Sequence, residues 1–484
     1  MPICEAKPEM SKIEAIIDSI LNFDGVAAPS DQGQQIPSAP DTAPQTVLET
    51  PIEMVTEDAG TSLQTEATLP ASEMQATSAN AESHAAGTGS AFPDPSPQPT
   101  QLADHGIAFD FNAGTRVSLP PGRWRVTLTD MERSVCLYRE EASNCMVLGS
   151  KKYFIPTRIE IHSLELDQTA FVHEYDCQNK DVAILLPGGT LGDAIGWFSY
   201  AVKFQQKHGC RLTVGMSTHA CSLFSGQYPS VRCCTFDEYE SERNKFYATY
   251  YIGLYFTDEV HDWQPSDFRL VGLHRTAAHI LGVDDTDSPP RINQWPISER
   301  PIEKPYVVIA TQASSQCKYW NNPYGWSAVI EKLNALGYEV VCIDRESVSG
   351  NHNHWNYIPH GTRDETGDRP LTERAYWLRH AAFFIGLSSG LSWLAWAAGT
   401  PVVMISGFTH PSNEFHTPYR VFNPHVCNSC WHDIRTPFEH GNFLFCPRHQ
   451  DTHRQFECTR LIMPEHVLAY CETLHRQLTT SEAG

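Results

Sequence analysis

The chain has 484 residues and a formal net charge of −22, with 57 acidic against 35 basic side chains. That length accommodates two or three domains, and the acidic balance argues against nucleic acid as the main partner, because binding a phosphate backbone requires Lys and Arg. No apolar run reaches the roughly 18 to 20 residues that span a bilayer, and the first residues lack the pattern of a secretory signal, so we expect a cytoplasmic protein without membrane insertion.

Residues 1–104 are predicted to form a disordered acidic tail. The first hundred positions hold 15 Asp or Glu, two Lys, no Arg and two aromatic residues, Phe23 and Phe92. Such a segment cannot bury enough apolar surface to offset its loss of conformational entropy. One exception is an amphipathic pattern over 13–21, which a capping box precedes. That short helix either docks on the chain itself, or frays, or binds a partner.

Residues 105–180 are predicted to form a small antiparallel β domain. Short runs in this region alternate apolar and polar residues, as in 124–129 and 159–162. Turn signals such as Pro120-Pro-Gly122 separate these runs.

From residue 181 the pattern changes to strands that alternate with helices. A first Rossmann-like half is predicted over 181–300 and a second over 301–422, with a Pro-rich linker at 287–305 between them. The predicted elements are strand 182–186, helix 194–207, strand 306–310, helix 325–336, strand 339–343, helix 371–380, strand 382–385, helix 391–398 and strand 401–405. This alternation predicts an α/β fold, in which two halves place a ligand cleft between them.

The first segment expected at that cleft is 187–193, a glycine-rich turn between a strand and a helix. Small glycines let backbone N–H groups approach a ligand, and a helix N-terminus favours anionic groups. Asp193 lies at this helix start, where it is either a functional carboxylate or simply a helix cap. The segment is neither G-x-G-x-x-G nor a Walker loop, so neither nicotinamide binding nor ATP hydrolysis is indicated.

Two further loops follow strands of the second half. The loop 311–320 is polar and carries Lys318, which is placed to meet a phosphate, although a single loop lysine is often only solvated. The loop 386–393 runs from a strand into a helix and offers hydroxyls and N–H donors at a positive helix end. Two such loops at strand ends favour a nucleotide-diphosphate site.

Four cysteines near the end of the chain predict a metal-binding finger over 423–460. They are Cys427, Cys430, Cys446 and Cys458, with the spacing C-x₂-C-x₁₅-C-x₁₁-C. Four thiolates select zinc or iron, because these metals suit soft ligands. A neighbouring histidine could replace one cysteine, and the alternatives to a metal site are four unrelated thiols or two disulfides. The finger is expected to be structural, because a closed shell of four sulfurs leaves no position for substrate.

Other features complete this C-terminal region. The chain has 15 cysteines, an odd number that suits reduced thiols better than a disulfide framework. The aromatic residues beside the finger cysteines, Trp431, Phe438 and Phe443, either pack the finger onto a neighbour or receive an acceptor. A helix is predicted over 461–484.

Together these segments resemble the bacterial autotransporter heptosyltransferases and, more distantly, the lipopolysaccharide heptosyltransferases of the GT-B fold. The matching residues are Gly192-Asp193 after the first strand, Lys318 with Trp320 after the linker, and the block 385–397, which contains Gly-Leu-Ser-Ser-Gly-Leu-Ser-Trp. The four-cysteine finger distinguishes the autotransporter branch. The resemblance covers about residues 105–475 and implies a GT-B-like pair of Rossmann-like halves behind the β domain.

The resemblance also implies an activity. Such enzymes transfer heptose from ADP-heptose to Ser or Thr hydroxyls of an autotransporter adhesin passenger in the bacterial cytoplasm, without a divalent metal at the sugar. Asp193 matches the family's catalytic aspartate, which accepts the proton of the acceptor hydroxyl. One ferric ion, Fe(III), would occupy the finger, with zinc as the alternative, and the copies would assemble into a large dodecamer-like ring. The residues implied in donor binding are Thr311, Lys318, Ser388, Ser389, Gly390 and Leu391.

Two departures from the lipopolysaccharide branch concern the donor and the acceptor. Those enzymes carry Asp where this chain has Ser388, and a His and a Pro soon after Gly-Asp that are absent here. Two alternatives therefore stay open, namely a GT-B enzyme that uses another nucleotide sugar, and a non-catalytic scaffold whose finger recruits a protein.

Overall fold

The computed structural model describes residues 75–77, 92–187, 190–293, 300–351 and 353–482. Most of the predicted tail lies outside the described residues, and so does the amphipathic segment 13–21. Among the described helices, none is long and apolar enough to cross a membrane.

The last part of the predicted tail, residues 92–104, is folded against the body of the protein. The Thr100 hydroxyl donates to the Phe246 carbonyl at 2.7 Å. The buried guanidinium of Arg116 donates to the Ser96 carbonyl at 2.7 Å and pairs with Asp110 at 2.7 Å. Ordered structure therefore begins before the predicted boundary at 104, because backbone carbonyls of this segment complete a buried ion-pair network that composition does not reveal.

The N-terminal strands divide between two sheets. In chain order they are β1 Gln75–Thr77, β2 Gln101–Leu102, β3 Ala108–Asn112, β4 Arg116–Ser118, β5 Trp124–Asp130, β6 Val135–Ala142, β7 Met146–Leu148, β8 Thr157–Ser163 and β9 Gln168–Glu174. Four of them form a separate antiparallel sheet with the order β6-β5-β8-β9. Alternate residues of β5 and β8, such as Val126 and Ile159, are buried, as the predicted period of two requires. This sheet lies within the range 105–180 predicted as a small antiparallel β domain, whereas β3, β4 and β7 of the same range belong to another sheet.

The first Rossmann-like half contains four parallel strands and the helices around them. The strands are β10 Asp181–Leu185, β11 Arg211–Gly215, β12 Val231–Cys234 and β13 Ala248–Tyr251, and the helices are α1 Leu191–His208, α2 Thr218–Phe224, α3 Phe236–Glu242, α4 Phe268–Val271 and α5 Arg275–Leu281. Strand β3 pairs in parallel with β13, so the sheet order of the described strands is β1-β7-β4-β3-β13-β10-β11-β12, with β2 on β3. The predicted boundary at 180 is therefore not an edge of this sheet, because a pairing between distant segments continues it.

The second half forms a parallel sheet with the order β18-β15-β14-β19-β20-β21. Its strands are β14 Tyr306–Ile309, β15 Glu339–Cys342, β18 Arg363–Asp364, β19 Phe384–Leu387, β20 Val402–Ile405 and β21 Arg420–Val421, and a separate hairpin consists of β16 Val348–Asn351 and β17 His354–Tyr357. The helices are α6 Gly325–Ala335, α7 Leu371–His380, α8 Gly390–Ala397, α9 Glu457–Arg460 and α10 Pro464–Glu482. Every helix predicted from the sequence in this half is present.

The two halves share one hydrophobic core. Residues of β14 are buried on both faces, with Val308 in the core that continues from the first half and Val307 in a core closed by α10. Trp197 of α1 and Trp393 of α8 both belong to the shared core and are almost fully buried. The crossing of α1 and α8 therefore sets how the two halves meet.

Candidate active site and metal centre

Asp193 lies in the first turn of α1, directly after the buried strand β10. The N-cap position is Thr190, so Asp193 is not the capping residue; instead its carboxylate accepts a hydrogen bond from the Thr190 hydroxyl. Burial raises the pKa of Asp193 to about 6, against the opposing effects of Thr190 and of the positive charge of Lys318. A carboxylate with this pKa is ionised at neutral pH and is basic enough to accept a proton.

The start of α1 touches the start of α8 because both helices have glycine at the crossing. A Cβ placed on Gly192 would lie 2.8 Å from Cδ1 of Trp393, and a Cβ on Gly390 would lie 2.9 Å from Cβ of Leu191. Larger residues would separate the helices. The glycines therefore bring Asp193 of the first half close to the loop 388–391 of the second half, as two facing halves require.

Lys318 follows β14 at the end of a short 3₁₀ helix, Gln316–Lys318. Its ammonium lies 5.4 Å from the ring centroid of Trp431 and 6.0 Å from that of Phe438. Its positive charge also acts on the carboxyl of Asp193. Among the described residues no carboxylate lies within 4.0 Å of this ammonium, so its charge is available to an anionic ligand.

Thr311 is buried at the carboxyl end of β14, and its hydrogen-bonding groups are already engaged. The Thr311 amide and hydroxyl donate to the carboxylate of Asp344 at 2.7 and 2.8 Å. Asp344 follows β15 and is also buried, which raises its pKa. Asp344 was not among the residues predicted from the sequence, although it follows an apolar strand, where ligand-binding residues of parallel sheets lie. This pair fixes the loop that leads to Lys318.

The loop between β19 and α8 contains the four other residues implied in donor binding. Ser389 occupies the N-cap position of α8, and Gly390 and Leu391 are the first helical residues, whose N–H groups have no partner within a helix. The Ser388 hydroxyl donates to the carboxylate of Glu414, which is almost fully buried and pairs with Arg420 at 2.8 Å. No sequence signal indicated Glu414, because it lies in an irregular segment beyond the next strand.

The four predicted metal ligands lie in one neighbourhood. Cys430 begins a 3₁₀ helix and Cys458 lies in α9. Burial, together with the neighbouring Cys427 thiol, raises the pKa of Cys430 to about 12. Burial likewise raises the pKa of Cys458, and the thiols that add to this effect belong to Cys317, Cys430, Cys446 and Cys427. All described cysteines are free thiols, so the two-disulfide alternative is not observed.

The closest set of ligand atoms differs from the four-cysteine prediction. Within the described residues, the group of three His, Cys, Asp or Glu atoms that approach within 4.8 Å of one another is Cys427, His449 and Glu457. Glu457 accepts from Arg454 at 2.6 Å and from the amide of Cys427 at 2.9 Å, and the guanidinium of Arg454 is the main cause that lowers its pKa to about 2. A histidine near the cysteines was foreseen as an alternative ligand; the carboxylate was not.

The donor set suits a thiolate-binding metal. An N–H of Arg448 points at the Cys427 sulfur from 3.8 Å, which brings a positive charge beside that sulfur. A bound cation converts neighbouring thiols to thiolates and offsets the repulsion between their charges. The residues therefore fit a soft metal such as iron or zinc.

The finger packs on the same chain through its aromatic residues. Trp431 contacts Phe256 at 5.6 Å and Phe268 at 6.0 Å between ring centroids, both from the first half, and Phe438 at 5.3 Å. The carbonyl of Phe443 accepts from the Gln316 amide at 2.8 Å, beside Lys318. Since these residues pack within the chain, the finger joins the first half to the Lys318 loop.

Two family models and several relatives match the chain. The N-terminal domain of glycosyltransferase TibC matches residues 104–165, and glycosyltransferase family 9 (heptosyltransferase) matches residues 274–436. The chain is 48% identical to autotransporter heptosyltransferase BAHTCr of Citrobacter rodentium, over 80% of this chain and 93% of the relative. It is 47% identical to autotransporter heptosyltransferase Aah of Escherichia coli, over 81% of this chain and 99% of the relative.

A solved structure extends the match to three dimensions. The crystal structure of TibC from enterotoxigenic E. coli H10407, a bacterial iron-containing dodecameric glycosyltransferase, superposes with a TM-score of 0.76 at 48% identity. The match covers 80% of this chain and 100% of that one.

The paired α/β halves, together with these matches, place the protein in the heptosyltransferase class of glycosyltransferases. The chain belongs to the autotransporter heptosyltransferase family, which confirms the predicted resemblance. TibC has also been solved in complex with ADP-D-β-D-heptose. A further relative, BimC of Burkholderia thailandensis, is 44% identical over 78% of this chain and 88% of its own length and is described as inactive. Activity within the family therefore depends on the residues of the site as well as on overall similarity.

Proposed function

We propose that this protein transfers heptose from ADP-heptose to Ser or Thr hydroxyls of an autotransporter adhesin passenger in the bacterial cytoplasm. The observation that carries the proposal is the position of the Asp193 carboxyl, which lies within the influence of the Lys318 charge where the N-termini of α1 and α8 meet. The proposed base and the cation thus come from opposite halves. The TibC complex with ADP-D-β-D-heptose supports the choice of donor.

In this mechanism Asp193 is the general base. An acceptor hydroxyl attacks the anomeric carbon, a new C–O bond forms, and the bond from that carbon to the β-phosphate oxygen breaks. The proton of the hydroxyl passes to Asp193, and ADP leaves with the electron pair of the broken bond. A pKa of about 6 suits the base, because it is charged before the reaction and receives the proton without a large energetic penalty.

Departure of ADP needs positive charge at the phosphates. Lys318 supplies a cation that no described carboxylate neutralises within 4.0 Å, and the first N–H groups of α8, at Gly390 and Leu391, add the positive end of the helix dipole. Ser388 and Ser389 border the same loop. Thr311 contributes indirectly, because its hydrogen bond to Asp344 fixes the loop that leads to Lys318. With these groups, the proposed transfer requires no divalent metal at the sugar.

We propose that Cys427, Cys430, Cys446 and Cys458 hold one iron ion as Fe(III), with zinc as the alternative metal. The relative TibC is described as iron-containing and dodecameric, and a ring of this kind is our expectation for the present chain. A closed thiolate shell would supply structure rather than chemistry, because it leaves no coordination position for substrate. It would hold Trp431 and Phe443 where they contact Lys318 and its loop.

The scaffold alternative has one observation in its favour, since BimC is described as inactive at 44% identity. The two functions are separated by intact-mass analysis of a β-helical autotransporter passenger after incubation with this protein and ADP-heptose. Repeated increments of one heptose, absent with the Asp193→Asn variant, are expected. A wild-type protein that adds no heptose to any passenger would leave the scaffold function standing, and transfer by the variant would remove Asp193 from the mechanism.

A matched control keeps the comparison clear. Asp258→Asn alters a carboxylate that caps a loop by accepting the amides of Asp262, Trp263 and Gln264, away from α1 and α8. This variant is expected to transfer heptose at the wild-type rate wherever it folds. Competition with other nucleotide sugars in the same assay tests the identity of the donor.

A further inference from the structure

A buried carboxylate lies behind the donor loop and engages the hydroxyl of Ser388. Glu414 is 2% exposed and accepts hydrogen bonds from the Ser388 hydroxyl, from Asn413 Nδ2 at 3.0 Å and from Arg420 at 2.8 Å. Burial opposes its charge, yet Arg420 and these hydrogen bonds keep its pKa below the usual value. Because Ser388 gives its proton to Glu414, the Ser388 oxygen can only accept a hydrogen bond from a ligand.

Three polar atoms around the same carboxylate are buried without a hydrogen-bond partner among the described residues. They are Thr409 Oγ1, Asn413 Oδ1 and His432 Nε2. The Thr409 and Asn413 residues are 2% and 3% exposed. Thr409 is close enough to Glu414 to help lower the pKa of that carboxyl. The amide of His410, the next residue, donates to Nδ1 of His432 at 3.2 Å, which places His432 beside the same segment. Buried polar atoms left unpaired are destabilising, so three of them near one carboxylate indicate a polar molecule that pairs with them.

The hydrogen-bonding capacity of this cluster identifies the ligand as a polyol. His432 Nδ1 accepts from the His410 amide at 3.2 Å, so the ring proton is on Nε2, which donates. Asn413 Oδ1 accepts, and the Thr409 hydroxyl can do either. A phosphate offers acceptors alone and would be repelled by Glu414, whereas sugar hydroxyls both donate and accept.

The cluster lies on the donor side, at the junction of the two halves. The segment 409–414 follows β20, and Ser388 follows the adjacent strand β19, so both lie at the carboxyl edge of one parallel sheet. The Asn413 carbonyl accepts from the Leu273 amide of the first half at 3.0 Å. A sugar held here would lie next to the loop that is proposed to bind the diphosphate.

We propose that Thr409, Asn413 and His432 form a subsite for hydroxyl groups of the donor sugar. Glu414 is its positioning residue, which acts through Ser388 by holding that hydroxyl as an acceptor. The inference rests on the proposed function, since it assigns the sugar-binding part of the same donor site. It also gives a physical reason for Ser388. The Ser388 oxygen accepts a hydrogen bond from the sugar, and the carboxylate of Glu414 lies on the other side of that hydroxyl.

The test compares two ligands that differ by the sugar. Calorimetric titration of the full-length protein with ADP and with ADP-heptose gives the ratio of the two affinities. Thr409→Val keeps the side-chain shape and removes the hydroxyl, so ADP-heptose binding is expected to weaken roughly threefold to tenfold, with ADP binding unchanged. The matched control is Thr400→Val, whose buried hydroxyl donates to the Leu378 carbonyl away from the cleft; its affinity ratio should equal that of the wild type.

A second arm tests Glu414 through Ser388. Glu414→Gln is expected to lower the ADP-heptose to ADP affinity ratio, and the loss should vanish when the same change is made in a Ser388→Ala background. If Thr409→Val leaves the ratio unchanged, or if both ligands weaken equally, the subsite is refuted while heptosyl transfer stands. A wild-type protein that binds ADP but not ADP-heptose would refute the subsite and the proposed donor together.

Discussion

The close approach of α1 and α8 predicts that Gly192→Ala impairs catalysis far more than folding. The new methyl carbon would lie 2.8 Å from Cδ1 of Trp393, whereas ordinary contacts are 3.4–4 Å. The indole cannot turn aside, because Trp396, Phe415 and His274 surround it at 5.7, 5.0 and 5.4 Å between ring centroids. The first turn of α1 must therefore move by roughly 0.6 to 1 Å, given how little packed interiors yield.

The expected loss of activity combines two opposing changes in the free energy of unfolding with one change in the reaction rate. Overpacking costs about 1–3 kcal/mol, while replacing a helical glycine with alanine returns about 1 kcal/mol, so the protein stays folded. A displacement of about 1 Å at a reacting group costs on the order of a hundredfold in rate. Asp193 is the next residue in the chain and moves with the turn, so we expect about a hundredfold loss of turnover at saturating donor.

The assay measures heptose transfer to a passenger by mass, beside urea denaturation of the same preparation. Gly441→Ala is the control, because no atom lies within 4 Å of the added carbon at that position. This control should match the wild type in both measurements. Wild-type turnover in a folded Gly192→Ala variant would refute the argument that this contact positions Asp193.

Three further predictions test the base, the buried ion pair and the finger. The kcat/KM for transfer should fall tenfold per pH unit below about 6, because the proposed base Asp193 accepts a proton only when it is deprotonated. A kcat/KM that stays constant between roughly pH 5 and pH 7 would exclude Asp193 as the base. Asp110→Asn should lower the free energy of unfolding by about 3–5 kcal/mol in urea titrations, since Arg116 keeps a buried charge. Cys430→Ser should lose bound metal and melt at lower temperature, whereas Cys136→Ser, at an exposed thiol, should do neither.

The local sequence was enough to predict the strands and helices and where the candidate site residues lie on them. The apolar run after residue 181 is buried strand β10, and the glycine-serine block forms the turn into α8, because a strand or helix is encoded by the period of its neighbours. Asp193 was placed at a helix start, and Lys318 in a loop after a strand, from residue type and order alone. The family resemblance then implied that those residues share one donor and acceptor site.

Contacts between side chains that are distant in the sequence became visible in the folded chain. Glu414 meets Ser388, and Gly192 meets Trp393, across long stretches of chain that carry no common pattern. The pairing of β3 with β13, which joins the N-terminal strands to the first half, likewise connects segments that are far apart in the sequence. Local periodicity reports which face of an element is buried, but not what that face packs against. That partner is set by the packing of the whole core, where volume and hydrogen bonding have to be satisfied together.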